Sequence, residues 1–257
     1  MAQPLVSIIT PTHGRAPFLP LIYYCIQSQE WPSIEWLVDD DSPQPSLFMQ
    51  NLADPRVQYF HSPDRRSVGV KRNTLVQLAK GMYVAHFDDD DYYAPDYLSH
   101  LIGVLMEKNA DFVKLSGFFV YSRTYEQWAY WDLMINTGLH FIWSAHPEEA
   151  VVLTPQNNQN FQENHLGYGF SYLYRKEVGD RVKFPDVSWN EDVPFIVAAA
   201  ANGVVTCVPD TTGLCLHILH RDNSSKCFPQ FVIPLFLKER IFSRIGPYWQ
   251  ALDSIQG

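Results

Sequence analysis

Three short apolar runs in the first third of the chain constrain its fold more than any other feature. Residues 5–10 (LVSIIT) stop at Pro11, and residues 34–38 (IEWLV) run into Asp39, Asp40 and Asp41. Residues 82–87 (MYVAHF) run into Asp88, Asp89, Asp90 and Asp91. Each run is too short for a helix and too apolar to alternate, the pattern of a strand buried on both faces. Residues 18–29 have the length of a crossover helix between the first two. Residues 70–80 (VKRNTLVQLAK) set Leu75, Leu78 and Ala79 on one helical face and stop at Gly81, a suitable C-terminal cap. Val57–His61 reads as a further strand, and Pro95 with Asp96 opens a helix carried by Leu98, Leu101, Ile102 and Leu105. Strands alternating with helices predict a mostly parallel sheet covered on both faces.

The second half is less regular. Residues 111–121, 171–175 and 204–208 read as strands, residues 192–201 as a short alanine-rich helix and residues 231–245 as a C-terminal helix. Residues 122–168 are rich in Trp, Tyr, His, Asn and Gln with weak periodicity, and Trp128, Tyr130, Trp131 and Trp143 there would suit stacking on sugars. At 257 residues the chain fits one large domain. A net charge of −9 argues against a broad nucleic-acid-binding surface, so no nucleic-acid partner is expected. Cys25, Cys207, Cys215 and Cys227 show neither a CxxC pair nor zinc-like spacing, which suits free thiols in a reducing compartment. With no basic leader and no apolar stretch of ~18–20 residues, a cytoplasmic protein is expected. Residues 231–245 mix apolar residues with Lys238, Arg240 and Arg244. Packing on the core is the plainer reading; peripheral membrane contact or a homodimer through this segment is the other.

Four adjacent carboxylates repel one another unless they are solvated or neutralised by a cation. Oxygen donors of this kind suit Mg²⁺ or Mn²⁺, which bind through one or two carboxylates and complete their shell with phosphate oxygens and water. Placed at the carboxyl end of a buried strand, Asp88–Asp91 occupy the edge where open α/β sheets take ligands. Asp39–Asp41 stand at a second such edge, where a carboxylate can accept from a base or a ribose hydroxyl or simply cap a turn. The turn from Thr10 to Arg15 follows a third. Lys71 and Arg72, at a helix start, suit a diphosphate or a solvated helix end. Glu191 and Asp192 follow Trp189 and offer a base for taking a proton from a hydroxyl, or a helix cap. His217 and His220, beside Arg221, could complete a metal shell or touch a diphosphate.

In this order the segments resemble the family 2 glycosyltransferases, which have the nucleotide-diphospho-sugar transferase (GT-A) fold. The carriers are Val6-Ser7-Ile8-Ile9-Thr10-Pro11-Thr12, Val38-Asp39-Asp40-Asp41-Ser42, Gly69-Val70-Lys71-Arg72-Asn73, Phe87-Asp88-Asp89-Asp90-Asp91 with Pro95-Asp96, Glu191-Asp192, and the His220-x-x-Asn223-x-Ser225 pattern. The resemblance implies one Rossmann-like α/β domain with a smaller acceptor-side lobe. Residues 1–92 would form the nucleotide-sugar half, and residues 93–257 the acceptor and catalytic-base half. It implies an inverting, metal-dependent transfer from a nucleotide-diphosphate sugar, a UDP-sugar, to a hydroxyl of a saccharide or glycoconjugate in polysaccharide biosynthesis. Thr10, Pro11, Thr12, Arg15, Asp40, Lys71, Arg72, Asp88 and Asp89 would bind the donor, with Asp40 facing the base. Asp88, Asp90 and His220 would hold Mn²⁺ or Mg²⁺, Asp192 with Glu191 would supply the base, and Trp189 and Tyr168 would meet the acceptor. Two other classes compete: a sugar nucleotidyltransferase, which needs a longer Gly-rich loop after the first strand than Thr12-His13-Gly14-Arg15 provides, and a non-catalytic carbohydrate-binding module.

Overall fold

The computed structural model describes residues 3–144, 150–220, 223 and 226–255. Its first half alternates as the apolar runs require: β1 (Val6–Thr12), α1 (Leu19–Gln27), β2 (Ile34–Asp40), α2 (Leu47–Asn51), β3 (Val57–His61), α3 (Val68–Leu78) and β4 (Tyr83–His86). β1 pairs in parallel with β2 and β4, and β2 with β3. The register sets Thr12 beside Asp40, so the turn after β1 and the acids after β2 share one sheet edge. Ser67 starts α3 by accepting a hydrogen bond from the Val70 N–H. Gly81 is not the cap of that helix, which turns at Ala79 in extended geometry. A Cβ at Gly81 would stand 2.6 Å from the Ser7 nitrogen, so the glycine is there to let the chain pass β1 closely.

Beyond β4 the order is β5 (Tyr92–Tyr93), α4 (Tyr97–Glu107), β6 (Phe112–Ser122), β7 (Gln127–Asp132), β8 (Gly138–Phe141), β9 (Ala150–Leu153), β10 (Leu173–Arg175), α5 (Lys176–Arg181), α6 (Asp192–Ala200), β11 (Val205–Pro209), β12 (Cys215–Leu219), β13 (Phe231–Val232), α7 (Leu235–Ile241) and α8 (Gly246–Asp253). The sheet is parallel through β3, β2, β1 and β4, and mixed from there. β10 runs antiparallel to both β4 and β6. Long β6 changes partners along its length: its first part lies against β10 and β11, its second against β7 and β12. That exchange curls the sheet, and the helices flank it. Two apolar clusters fill its sides. One is built on Trp36, Tyr97, Phe118 and Trp131, the other on Leu75, Tyr172, Tyr174 and Phe195.

Two expectations are corrected here. Residues 231–245 are not one helix: they open as β13 on the sheet edge, Pro234 starts the short α7, and Gly246 with Pro247 starts α8. Trp128, Trp131 and Trp143 are core residues and present no face for a sugar. Residues 122–168 also hold β7, β8 and β9. Among the described residues no helix is long and apolar enough to cross a membrane.

Candidate active site

The strand ends open on a cleft of about 1300 Å³. The acidic turn after β4 forms part of its wall, and its four carboxylates have diverged. Asp91 is fully buried, accepting from His217 Nδ1 and the Ile218 N–H, both at 2.9 Å. Burial alone would discharge His217, but the facing Asp91 carboxylate raises it well above its ordinary value. This pair ties the turn to β12. Asp89 faces the cleft, but the Thr12 hydroxyl donates to it, and burial beside Asp90 raises it well above the carboxylate range. Asp88 and Asp90 complete the acidic wall. The Asp88 N–H is fixed by Tyr93 Oη at 2.9 Å, and that hydroxyl donates to the Phe170 carbonyl, so the turn is braced from beneath.

Arg72 enters from α3 with almost no exposure. Its Nη1 donates to Glu191 Oε1 at 2.6 Å, and its Nη2 lies 3.5 Å from Asp88 Oδ1. Burial opposes its charge, yet Glu191, Asp88 and Asp192 outweigh it and raise the group. Glu191 is therefore an anchor for Arg72. Lys71 is turned inward, donating to the Thr12 carbonyl and to Asp41 Oδ1, each at 2.8 Å. Burial alone would raise Asp41, but the Arg66 N–H, Lys71 and Arg65 hold it at about 2. Asp192, the first residue of α6, has one carboxylate oxygen on the Gly169 N–H at 2.9 Å.

Pro11, Thr12, Arg15, Lys71, Arg72, Asp88, Asp89, Asp90, Tyr168, Trp189, Glu191 and Asp192 all line the cleft. Two residues expected to bind the donor stand off it. Thr10 is buried, donating to the Phe87 carbonyl and accepting from Trp36 Nε1. Asp40 is buried, one oxygen taking the Ser42 N–H and hydroxyl and the other the Tyr59 hydroxyl. Both are spent on holding strand ends. His220 lies behind Asp90 in the acidic wall, its Nε2 3.0 Å from Asp90 Oδ2.

The family model described as glycosyl transferase family 2 matches residues 7–182, more than half of the chain. The chain belongs to glycosyl transferase family 2. This member is similar to the uncharacterized glycosyltransferase EpsJ of Bacillus subtilis, 28% identical over 203 residues, 76% of this chain and 56% of that one. It is also similar to the GalNAc(5)-diNAcBac-PP-undecaprenol beta-1,3-glucosyltransferase of Campylobacter jejuni, 35% identical over 112 residues, 41% of this chain and 35% of that one. The chain thus spans about half the length, or less, of these relatives. Its fold is similar to that of S. aureus TarS 1-349 in complex with UDP-GlcNAc, with a TM-score of 0.63, 15% identity, and coverage of 85% of this chain and 60% of that one. It is also similar to that of the mannosyltransferase PcManGT of Pyrobaculum calidifontis in complex with GDP-Man and Mn2+, with a TM-score of 0.58, 18% identity, and coverage of 84% and 57%.

The acidic wall of this family 2 chain presents the Asp88, Asp89 and Asp90 carboxylates to the cleft. Among the described residues no three Asp, Glu, His or Cys side chains converge on one point. Asp90 and His220 do meet, and their approach is informative. Arg15 Nη1 lies 2.6 Å from His220 Nε2, the nitrogen that also faces Asp90 Oδ2. An imidazole nitrogen has one lone pair, so a His220 Nε2 that accepts from Arg15 has none left for a cation. The oxygen donors of Asp88 and Asp90 are of the kind that suits Mn²⁺ or Mg²⁺, with phosphate oxygens and water completing the shell. Of the remaining motif, Asn223 Nδ2 is 3.4 Å from Asp90 Oδ2, while Arg221 and Ser225 lie outside the described residues.

Two groups at the site were not singled out from the sequence. Lys114, wholly buried in β6, donates to the Gly167 carbonyl next to the Gly169 turn that holds Asp192. A lone lysine inside the apolar run FVKLSGFFV was the available signal. Asn157, Asn160 and Asn164 line the cleft from the irregular stretch, where no period marks them.

Proposed function

We propose that the chain transfers a sugar from a nucleotide-diphosphate donor, a UDP-sugar, to a hydroxyl of a saccharide or glycoconjugate, with inversion at the anomeric carbon. The observation that carries this reading is one cleft with a wall of carboxylates, Asp88 to Asp90, and a separately held carboxylate, Asp192, in its lining. The donor's pyrophosphate would lie against Arg15 and the acidic turn, in the half formed by residues 1–92. The acceptor would enter against Trp189 and Tyr168, in the half formed by residues 93–257. TarS binds UDP-GlcNAc and PcManGT binds GDP-Man with Mn2+, which supports a nucleotide sugar here. The acceptors named for the C. jejuni relative and for a UDP-glucose-dependent E. coli relative are diphosphoundecaprenol-linked saccharides, which supports a glycan acceptor.

Asp88 and Asp90 would hold the divalent cation, and His220 would join them as a ligand once Arg15 turned from its Nε2 to the donor's phosphates. When bound, the cation offsets charge developing on the leaving diphosphate. Arg15 adds positive charge at the same end. Arg72, neutralised by Glu191 and Asp88, braces the cleft wall between donor and acceptor rather than waiting as a free cation. Asp192, oriented by the Gly169 N–H, would accept the acceptor's proton as its oxygen attacks.

The reading is tested by thermal shift with UDP, GDP and UDP-sugars, with and without Mn²⁺. UDP with Mn²⁺ is expected to raise the melting temperature, and Asp90→Ala to abolish the Mn²⁺-dependent part. Asp192→Asn is expected to keep that shift and to lose turnover in a UDP-sugar hydrolysis and transfer assay. Near-normal turnover in Asp192→Asn would remove Asp192 as the base, and a melting temperature indifferent to every nucleotide would remove the donor site.

A further inference from the structure

A second cavity of about 300 Å³ adjoins the cleft and is lined by Gln159, Asn160, Gln162, Glu163, Asn164 and Asn190. Three of these, Asn160, Asn164 and Asn190, line the main cleft as well, so the two spaces share a wall. The chemistry of the lining differs sharply between them. The main cleft carries Arg15, Arg65, Lys71, Arg72 and Lys226. The second cavity carries no lysine, arginine or histidine, and Glu163 is the single charged side chain in its lining.

We propose that this cavity is an acceptor subsite for a neutral saccharide, taking a sugar residue beyond the one that receives the transferred group. The proposal rests on the glycosyl-transfer reading and names the acceptor class for it. A carboxamide both donates and accepts, so a cluster of them matches the paired hydroxyls of a neutral sugar. An anionic residue would meet Glu163 with no cation in the lining to pair it, and like charges in contact repel.

The carboxamides are uncommitted. Asn157 and Asn158, a few residues away, spend their side-chain nitrogens on the Val152 and Asn136 carbonyls, and Asn73 is tied to Phe184. Gln159, Asn160, Gln162, Asn164 and Asn190 make no side-chain hydrogen bond among the described residues. Their backbone is nonetheless held. The Asn164, Leu166 and Gly167 N–H groups close successive turns, and Phe161 packs edge-on against Phe228 with ring centroids 4.9 Å apart. Solvent-facing carboxamides on a held backbone can turn to meet a ligand's hydroxyls. Trp189, 73% exposed in the lining of the main cleft and next in sequence to Asn190, adds an apolar face on which a sugar ring can stack.

The test uses the full chain with UDP and Mn²⁺, titrated with the mono-, di- and trisaccharides of the malto-, cello- and chito-series and with trigalacturonate, followed by tryptophan fluorescence. At least one neutral series is expected to bind about tenfold more tightly as a trisaccharide than as a monosaccharide, and trigalacturonate more weakly than either. In Gln159→Ala/Gln162→Ala, two positions that line the second cavity and not the main cleft, the gain from length is expected to vanish while UDP-sugar hydrolysis stays at the wild-type rate. The proposal is overturned by full retention of that gain in the double variant, by trigalacturonate binding as tightly as the neutral trisaccharides, or by no dependence on length in any neutral series. Absence of hydrolysis in the wild-type protein, with the length dependence and its loss intact, would count against transfer alone.

Discussion

Lys114→Met separates charge from packing at the buried lysine of β6. The amine is wholly enclosed, and burial lowers it from 10.5 to about 7, Cys207 and Asp192 offsetting only part of that. Below pH 7 the lysine is charged in both folded and unfolded chains, and above 10.5 it is neutral in both. Between those values the unfolded chain binds more protons, so this group makes stability rise with pH. At about 1.4 kcal/mol per pH unit, the gap corresponds to a cost of about 5 kcal/mol at low pH, still about 4 kcal/mol at pH 7 and about 1 kcal/mol at pH 10. Methionine has similar bulk and no charge, but leaves the Gly167 carbonyl without its donor, a loss of about 1–3 kcal/mol. The variant is therefore expected to exceed the wild type by about 1–3 kcal/mol at pH 7 and to fall to or below it by pH 10. Urea unfolding at pH 7, 8.5 and 10, followed by tryptophan fluorescence, measures the difference, and other titrating groups cancel between the two proteins. A difference that stays constant across the three pH values would refute the reasoning. The released 167–169 turn should also lower turnover through Asp192 without changing the affinity for UDP and Mn²⁺.

Arg72→Met leaves Glu191 enclosed and Asp88 without its cation, and is expected to cost about 3–5 kcal/mol in urea unfolding; a loss below 1 kcal/mol would show that the knot is solvated. Asp91→Asn removes the charge that holds His217 protonated, and should lower stability by about 3 kcal/mol and weaken the Mn²⁺-dependent thermal shift, because β12 no longer grips the acidic turn. A Cβ at Gly69 would fall 1.9 Å from the Pro185 carbonyl oxygen. Gly69→Ala should therefore push α3 off the 184–188 segment, breaking the Gly69 N–H bond to the Val187 carbonyl and lowering stability by about 2 kcal/mol or more.

The parallel half of the fold was legible because each of its strands is an apolar run bounded by a turn or an acid, with no competing period. The pairing of the second half was not. Phe112–Ser122 is one unbroken strand in sequence and structure, yet nothing in its pattern marks the point where it exchanges β10 and β11 for β7 and β12. The break of residues 231–245 was visible in Pro234 and in Gly246-Pro247, and was overridden by the mixed apolar and basic residues between them. At the site, the sequence placed the acids and cations correctly at strand and helix ends. It could not show which were already spent: Lys71 on Asp41, Glu191 on Arg72, Asp40 on Ser42 and Tyr59. Commitments of that kind depend on which face a side chain takes after a turn, and adjacent identical residues such as Asp88 to Asp91 carry no signal of it.

The bond between Asp91 and His217 joins residues 126 apart. On a ribosome the aspartates emerge first, and at ~5–20 residues per second their histidine follows roughly 6 to 25 s later. Through that interval β4 ends in four mutually repelling carboxylates with neither β5 nor β6 able to recruit β12. The acidic wall therefore closes only after β12 has emerged, and a pairing of such long sequence separation is of the kind that forms slowly.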